Sequence, residues 1–245
     1  MSHLNREYHK WWSPHLERDM EMLIFGHAGT KVLVFPTRAG RFYEYEDIRM
    51  VEVLRPKLEA GEMQLFCVDS IDEESFYCFW AKPCGRIRRH QQYENYIVKE
   101  VIPFMNERNQ HDYTVSHGCS LGAYHAANIA FRHPHLFKKL AAFSGRYDLT
   151  HAVENFDDLL EGYYNNLVYS HTPTHFLPNL RCPEKIAHLR KMEIIVTIGE
   201  EDPFLHNAEK LSRILKDKEI DHQFYVWHER AHSGYYWRRM APLYL

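Results

Sequence analysis

Disulfides, membrane-spanning runs and an excess of one charge are all missing from this sequence. Its five cysteines, Cys67, Cys78, Cys84, Cys119 and Cys182, are odd in number and irregularly spaced, unlike a disulfide framework. No run approaches the roughly 20 apolar residues a helix needs to cross a bilayer. The opening "MSHLNREYHKWW" holds no apolar stretch of signal-peptide length. Thirty Lys and Arg face 33 Asp and Glu, a net charge of −3, which argues against a nucleic-acid-binding or polybasic membrane surface. Internal repeats, low-complexity tracts and Gly/Ser linkers are absent as well. Histidine is plentiful at 18 residues, but no zinc-type spacing such as H-E-x-x-H occurs. The expectation is scattered surface histidines and neither a metal nor a cofactor. A cytoplasmic, reducing setting is the default these absences leave.

What is present is an alternation of strands and helices. The 245 residues, 45% hydrophobic, suffice for one large domain spanning 1–245. "MEMLIFG" (20–26) and "KVLVF" (31–35) read as strands joined by a hairpin at "HAGT". Strands are also expected at 63–69, 113–118, 139–145, 193–200 and 222–229. Helical spacing covers 45–58, 93–108 with a kink at Pro103, the run after Gly122 up to Pro134, and 207–219. Such alternation predicts an α/β fold, a mostly parallel central sheet with helices on both faces. The front hairpin would make an antiparallel N-terminal edge. Residues 146–190, rich in Pro, Asn and aromatics, break the rhythm and read as a small irregular cap.

"VSHGCSLGAYHA" (115–126) carries the chemistry. Gly118-Cys119-Ser120-Leu121-Gly122 matches G-x-S-x-G, with a strand before and a helix after, the context a nucleophile elbow requires. The central residue of that turn is strained, and bulky neighbours at the flanking positions would collide. The glycine frame selects Ser120 as nucleophile and leaves Cys119 as a small buried residue. The backbone N–H of Leu121 would face an oxyanion.

A serine hydroxyl needs a base, and the base an orienting carboxylate. Both follow in the order this elbow implies. "EEDPFLHN" comes after the strand "EIIVTIG". Asp202 is preferred there over Glu200 and Glu201, because it lies deepest in the turn and precedes Pro203. "RAHSGYYW" comes after the last strand, ahead of a short C-terminal helix. It offers His232 as base, with His228, at the strand's end, as competitor.

With these residues in place the chain resembles the α/β-hydrolase superfamily, close to the putative-esterase (esterase D-like) family. "HGCSLGAYHAANIAFRHPHLF" resembles that family's elbow and helix, with Pro134 and Phe137 keeping its His-Pro-x-x-Phe turn. "FSGRYDL", "TIGEEDPF" and "AHSGYYWRRMAPLYL" resemble its next strand exit, its acid loop and its C-terminal histidine with a Trp-bearing helix, Trp237 standing at the matching place. "YENYIVKEVIPFMNER" resembles the helix that leads into the elbow strand. The resemblance implies an α/β-hydrolase fold with Ser120, His232 and Asp202 as the triad. Two departures stand out. The loop after the second strand, usually glycine-rich, reads "FPTRAGRFYEYED", so the second oxyanion donor would be a backbone N–H near Thr37 or Arg38. Ser233 replaces the Asp that commonly follows the histidine.

Other features keep two readings. Arg38 and Arg41 either meet an anionic substrate or pair with Glu44, Glu46 or Asp47. Trp80, Tyr163, Tyr164, Tyr169 and Phe176 either line a pocket or pack the excursions onto the core. "GRIRRH" (85–90) reads as a solvated or ion-paired loop. Trp11 and Trp12 suit an edge or a subunit contact, so a homo-oligomer stays open. The function expected is hydrolysis of a small-molecule carboxylic ester through an acyl-enzyme, without nucleic-acid or membrane partners. An acyltransferase and a non-catalytic binding protein of the same fold are the alternatives.

Overall fold

The structure is a computed structural model and describes residues 4–245. The chain begins with β1 (Arg6–Ser13), β2 (Arg18–Phe25) and β3 (Thr30–Phe35), then α1 (Glu44–Asp47), α2 (Met50–Glu59) and β4 (Met63–Val68). Next come α3 (Pro83–Tyr96), a π turn at Ile97–Val101, α4 (Ile102–Arg108), β5 (Thr114–Cys119), α5 (Leu121–Arg132) and β6 (Lys139–Phe143). The short helices α6 (Asn166–Ser170) and α7 (Pro173–Phe176) precede α8 (Pro183–Lys191), β7 (Glu193–Gly199), α9 (Leu205–Asp217), β8 (Gln223–Trp227) and α10 (Gly234–Tyr244).

Unbroken apolar runs belong on strands covered on both faces, and the central strands behave so. Residues alternate between two cores across the pleat. Val32 and Val34 of β3 face Leu54, Leu58 and Met240 from α2 and α10. Leu33 and Phe35 face Ile97, Ala126 and Ile129 on the other side. The strand order is β1-β2-β4-β3-β5-β6-β7-β8. From β4 through β8 neighbouring strands are parallel, while β1–β2 and β2–β4 are antiparallel. This is the α/β-hydrolase fold, a mostly parallel sheet with an antiparallel N-terminal edge.

Several local expectations are corrected. β2 and β3 form no hairpin, because β4 lies between them and pairs with both. The front hairpin is β1–β2, and β1 was not anticipated as a strand. Its residues alternate exposed and half-buried, as on an edge, so charged and aromatic side chains hide the period of two. "GRIRRH" is not a loop but the start of α3. Arg86 is fully buried there and pairs with Glu161 at 2.5 Å. Pro103 sits in the first turn of α4, just after the π turn. Helical backbone continues unbroken through this turn, and the widened π turn accommodates the N–H that the proline lacks, at the place where the kink was expected. The histidines are not all superficial. His90, His117, His125 and His171 are buried and hydrogen-bonded, and burial pushes His117 down to about 4 and His171 to about 3. Residues 146–190 hold only short helices, turns and an isolated Val153–Phe156 bridge.

Candidate active site

The carboxyl ends of parallel strands are where an open α/β sheet gathers its functional loops. Ser120 follows β5, Ser144 follows β6, Asp202 follows β7, His232 follows β8 and Arg38 follows β3. Ser120 has φ 56° and ψ −122°, a strained backbone for a residue with a Cβ. Its N–H donates to Phe143 O at 2.8 Å, which anchors the turn on β6. The flanking glycines serve close approach rather than positive φ. A Cβ on Gly118 would overlap the Gly122 backbone, and one on Gly122 would overlap the carbonyl oxygens of Phe35 and Pro36. α5 therefore packs onto the end of β3 with no room for a methyl group. Leu121 opens α5, so its N–H is among those a helix leaves unpaired.

The three predicted residues meet. His232 Nε2 lies 2.9 Å from Ser120 Oγ, and His232 Nδ1 lies 2.6 Å from Asp202 Oδ2. Asp202 is fully buried at its side chain, and its other oxygen accepts the Phe204 N–H at 2.9 Å. A carboxylate accepts only, so Nδ1 carries the proton and Nε2 is free to accept from the serine hydroxyl.

The loop bearing His232 is held from beneath. Ser144 Oγ donates to Ala231 O at 2.8 Å, and Trp237 Nε1 donates to Ser144 Oγ at 3.1 Å. The Trp237 ring stands 5.7 Å from the His232 ring, edge to face. A Cβ on Gly199 would overlap Arg230 O, so β7 also ends close under this loop. Ser144 and Trp237 lie in the segments FSGRYDL and AHSGYYWRRMAPLYL, but no local pattern gives either this supporting role.

The competitors are placed elsewhere. Cys119 is buried in the core beside α1 and α2, and burial raises its thiol well above the usual value. Glu200 and His228 pair with each other at 3.3 Å on the surface, the histidine side chain 98% exposed. Glu201 is exposed.

Of the two second-donor candidates, Thr37 is committed. Its N–H donates to Glu44 at 2.7 Å, and its hydroxyl binds the same carboxylate. The Ala39 N–H donates to Asp72 Oδ2 at 3.0 Å. Two carboxylates thus pin the loop on either side of Arg38, whose N–H has no acceptor among the described residues. Neither Glu44 in this role nor Asp72 had a signal in the sequence, since both act on backbone brought near by folding.

Ser120, Leu121 and His232 share a cleft of about 40 Å³ with Arg38, Tyr77 and Arg146. Phe156 and Phe204 add apolar wall, their rings 4.9 Å apart. None of Trp80, Tyr163, Tyr164, Tyr169 and Phe176 reaches it; Trp80 and Tyr164 point into solvent, 82% and 53% exposed. Arg41 pairs with Asp69 and Glu21, at 2.6 and 2.8 Å, rather than with the acids of α1. Among the described residues no cluster of three or more His, Cys, Asp or Glu side chains is arranged to hold a metal ion, and no helix is long and apolar enough to cross a membrane.

A family model described as "Putative esterase" matches residues 46–240. Among curated proteins, none matches the sequence. Three solved structures share the fold. A ferulic acid esterase is 16% identical, with TM-score 0.76, covering 98% of this chain and 95% of its own. FphF, a fluorophosphonate-binding serine hydrolase of Staphylococcus aureus, is 14% identical, with TM-score 0.71 and 98% of each chain covered. An S-formylglutathione hydrolase from Agrobacterium tumefaciens is 16% identical, with TM-score 0.73, covering 97% of this chain and 92% of its own.

Proposed function

The chain belongs to the Putative esterase family and is a carboxylic ester hydrolase, and from that premise we propose that it works through an acyl-enzyme on Ser120. The observation that carries this reading is the unbroken line Ser120–His232–Asp202, at 2.9 and 2.6 Å. Ser120 Oγ attacks the ester carbonyl while its proton passes to His232 Nε2. Asp202 keeps the ring oriented and stabilises the imidazolium without taking the proton. The tetrahedral oxyanion rests on the N–H groups of Leu121 and Arg38, donors fixed before the reaction begins. His232 then protonates the departing alcohol. Water, deprotonated by the same nitrogen, attacks the acyl carbon and releases the acid.

Residues 146–190 form the cap in this reading, bringing Arg146 and Phe156 to the cleft.

The decisive experiment replaces Ser120 with Ala and measures hydrolysis of p-nitrophenyl acetate together with labelling by a fluorophosphonate probe. The loss in kcat is expected to be about 10⁴-fold or more, with labelling abolished. An unlabelled wild type would point to a non-catalytic binding protein. Acylated product formed in the presence of an added alcohol, in place of free acid, would point to acyl transfer.

A further inference from the structure

Two guanidinium groups border the cleft, and among the described residues neither has a carboxylate partner within 4.0 Å. Arg146 is the more unusual of them. It is 5% exposed, and a buried cation is costly unless it is paired. Its Nε donates to Asp148 O at 3.0 Å, and its Nη2 is shared among the carbonyls of Leu149, His151 and Asp157 at 3.1, 2.7 and 2.8 Å. These bonds orient the group but supply no negative charge. Asp148, the nearest carboxylate in sequence, spends its oxygens on Thr150, Thr174, His175 and Lys210. The Nη1 end of Arg146 has no acceptor among the described residues.

Arg38 reaches the same cleft from the loop after β3. Its guanidinium lies 4.7 Å from the centre of the Tyr77 ring and makes no ion pair. Tyr77 also lines the cleft, its phenol within electrostatic reach of both Arg38 and Arg146. Asp202, the acid nearest the serine, is already engaged by His232 and the Phe204 N–H. The lining of the cleft is therefore rich in positive charge and donors, and poor in free carboxylates.

We infer that Arg38 and Arg146, which line the cleft together with Tyr77, form a carboxylate-binding subsite, so that the preferred substrates are small esters bearing a free carboxylate close to the scissile bond. This rests on the serine-hydrolase reading above and goes further by naming the class of substrate. A guanidinium offers paired N–H donors matched to a carboxylate. The carboxylate sits either on the acyl arm or on the alcohol arm.

The test compares isosteric pairs differing only in charge, followed by pH-stat at low ionic strength. Monoethyl succinate against ethyl succinamate probes the acyl arm; O-acetylglycolate against O-acetylglycolamide probes the alcohol arm. In one pair the anion is expected to have a kcat/KM about tenfold or more above its amide, as one charge-assisted contact supplies, shrinking in 0.5 M salt. Arg38→Gln and Arg146→Met should each bring that ratio toward one. Because the readout is a ratio, a general loss of activity cancels, and Arg38→Gln serves where Arg146→Met does not fold. Equal rates within both pairs, or a preference that survives both substitutions, overturn the subsite alone. Absence of hydrolysis of all four esters together with no fluorophosphonate labelling overturns the serine-hydrolase reading and the subsite with it.

Discussion

Ser144 Oγ donates to the carbonyl of Ala231 at 2.8 Å and accepts from Trp237 Nε1 at 3.1 Å. The exit of β6 is thereby tied to the residue just before His232 and to the helix that follows it. In the proposed mechanism His232 is a base that must sit within hydrogen-bonding reach of Ser120, and it needs such a support, because a shift of about 1 Å can cost on the order of 10²-fold in rate.

Replacing Ser144 with Ala removes both bonds and strands the buried indole N–H. Stability is expected to fall by about 1–3 kcal/mol. The rate constant kcat should drop by about 10–100-fold, with KM nearly unchanged, since positioning and not binding is lost. Urea melts and steady-state kinetics on p-nitrophenyl acetate check both. A variant with full kcat would show that the His232 loop is held by other contacts.

Asp202 and Glu200 stand two residues apart with opposite fates. Asp202→Asn should lower kcat by about 10⁴-fold, because the amide lets the imidazole take the wrong tautomer. Glu200→Gln, which touches only exposed His228 and the Glu229 N–H, should change kcat by no more than about twofold. The reverse ranking would move the orienting acid to Glu200.

Much of the candidate site was legible because Ser120, Asp202 and His232 each follow a strand. β3 and β7 are nearly continuous apolar runs, β5 is marked by the glycine-framed turn that follows it, and a chain of parallel strands leaves its functional loops at one end. Glu200 and His228 were readable only as competitors; they pair with each other instead of entering the site. What stayed hidden depends on neighbours that only folding supplies. β4 inserts between β2 and β3 through a crossover that no local pattern encodes. Arg86 looks like a surface cation until Glu161, 75 positions away, neutralises it. Arg146 gave no signal either, since its partners are backbone carbonyls of Asp148, Leu149, His151 and Asp157.

The two ends of the steric scale are open to one experiment. Gly122→Ala places a methyl group on the carbonyls of Phe35 and Pro36, backbone atoms of a central strand that cannot yield. It should cost about 1–3 kcal/mol or more and displace the Leu121 N–H from the oxyanion position of the proposed mechanism. Gly85→Ala, in α3 with open space around it, should instead stabilise the fold by about 0.5–1 kcal/mol. Thermal melts of the two variants should therefore move in opposite directions. A Gly122→Ala protein as stable and active as the wild type would contradict the close packing of α5 on β3.

Glu94 makes the acid stability of the fold testable. Burial works to raise its pKa, but the hydrogen bonds from His133 and Arg132 outweigh it and hold the carboxyl at about 2. Arg132 contributes bonds of 2.7 and 3.0 Å, and His133 one of 3.0 Å. The unfolded chain protonates this carboxyl first, near 4.5, so the unfolded state binds more protons between that value and about 2. The contribution is present in full above pH 4.5 and is lost as pH falls toward 2. Its size is on the order of 3 kcal/mol. Glu94→Gln should lower Tm at pH 7 by roughly 6–12 °C for a chain of this length, and the gap to the wild type should close by pH 2. His117, held at about 4 by burial, also weakens the fold below pH 6.5, but equally in both proteins, so it cancels in the difference. A gap that stays constant from pH 7 to pH 2 would mean that the ionised Glu94 contributes nothing that its amide does not.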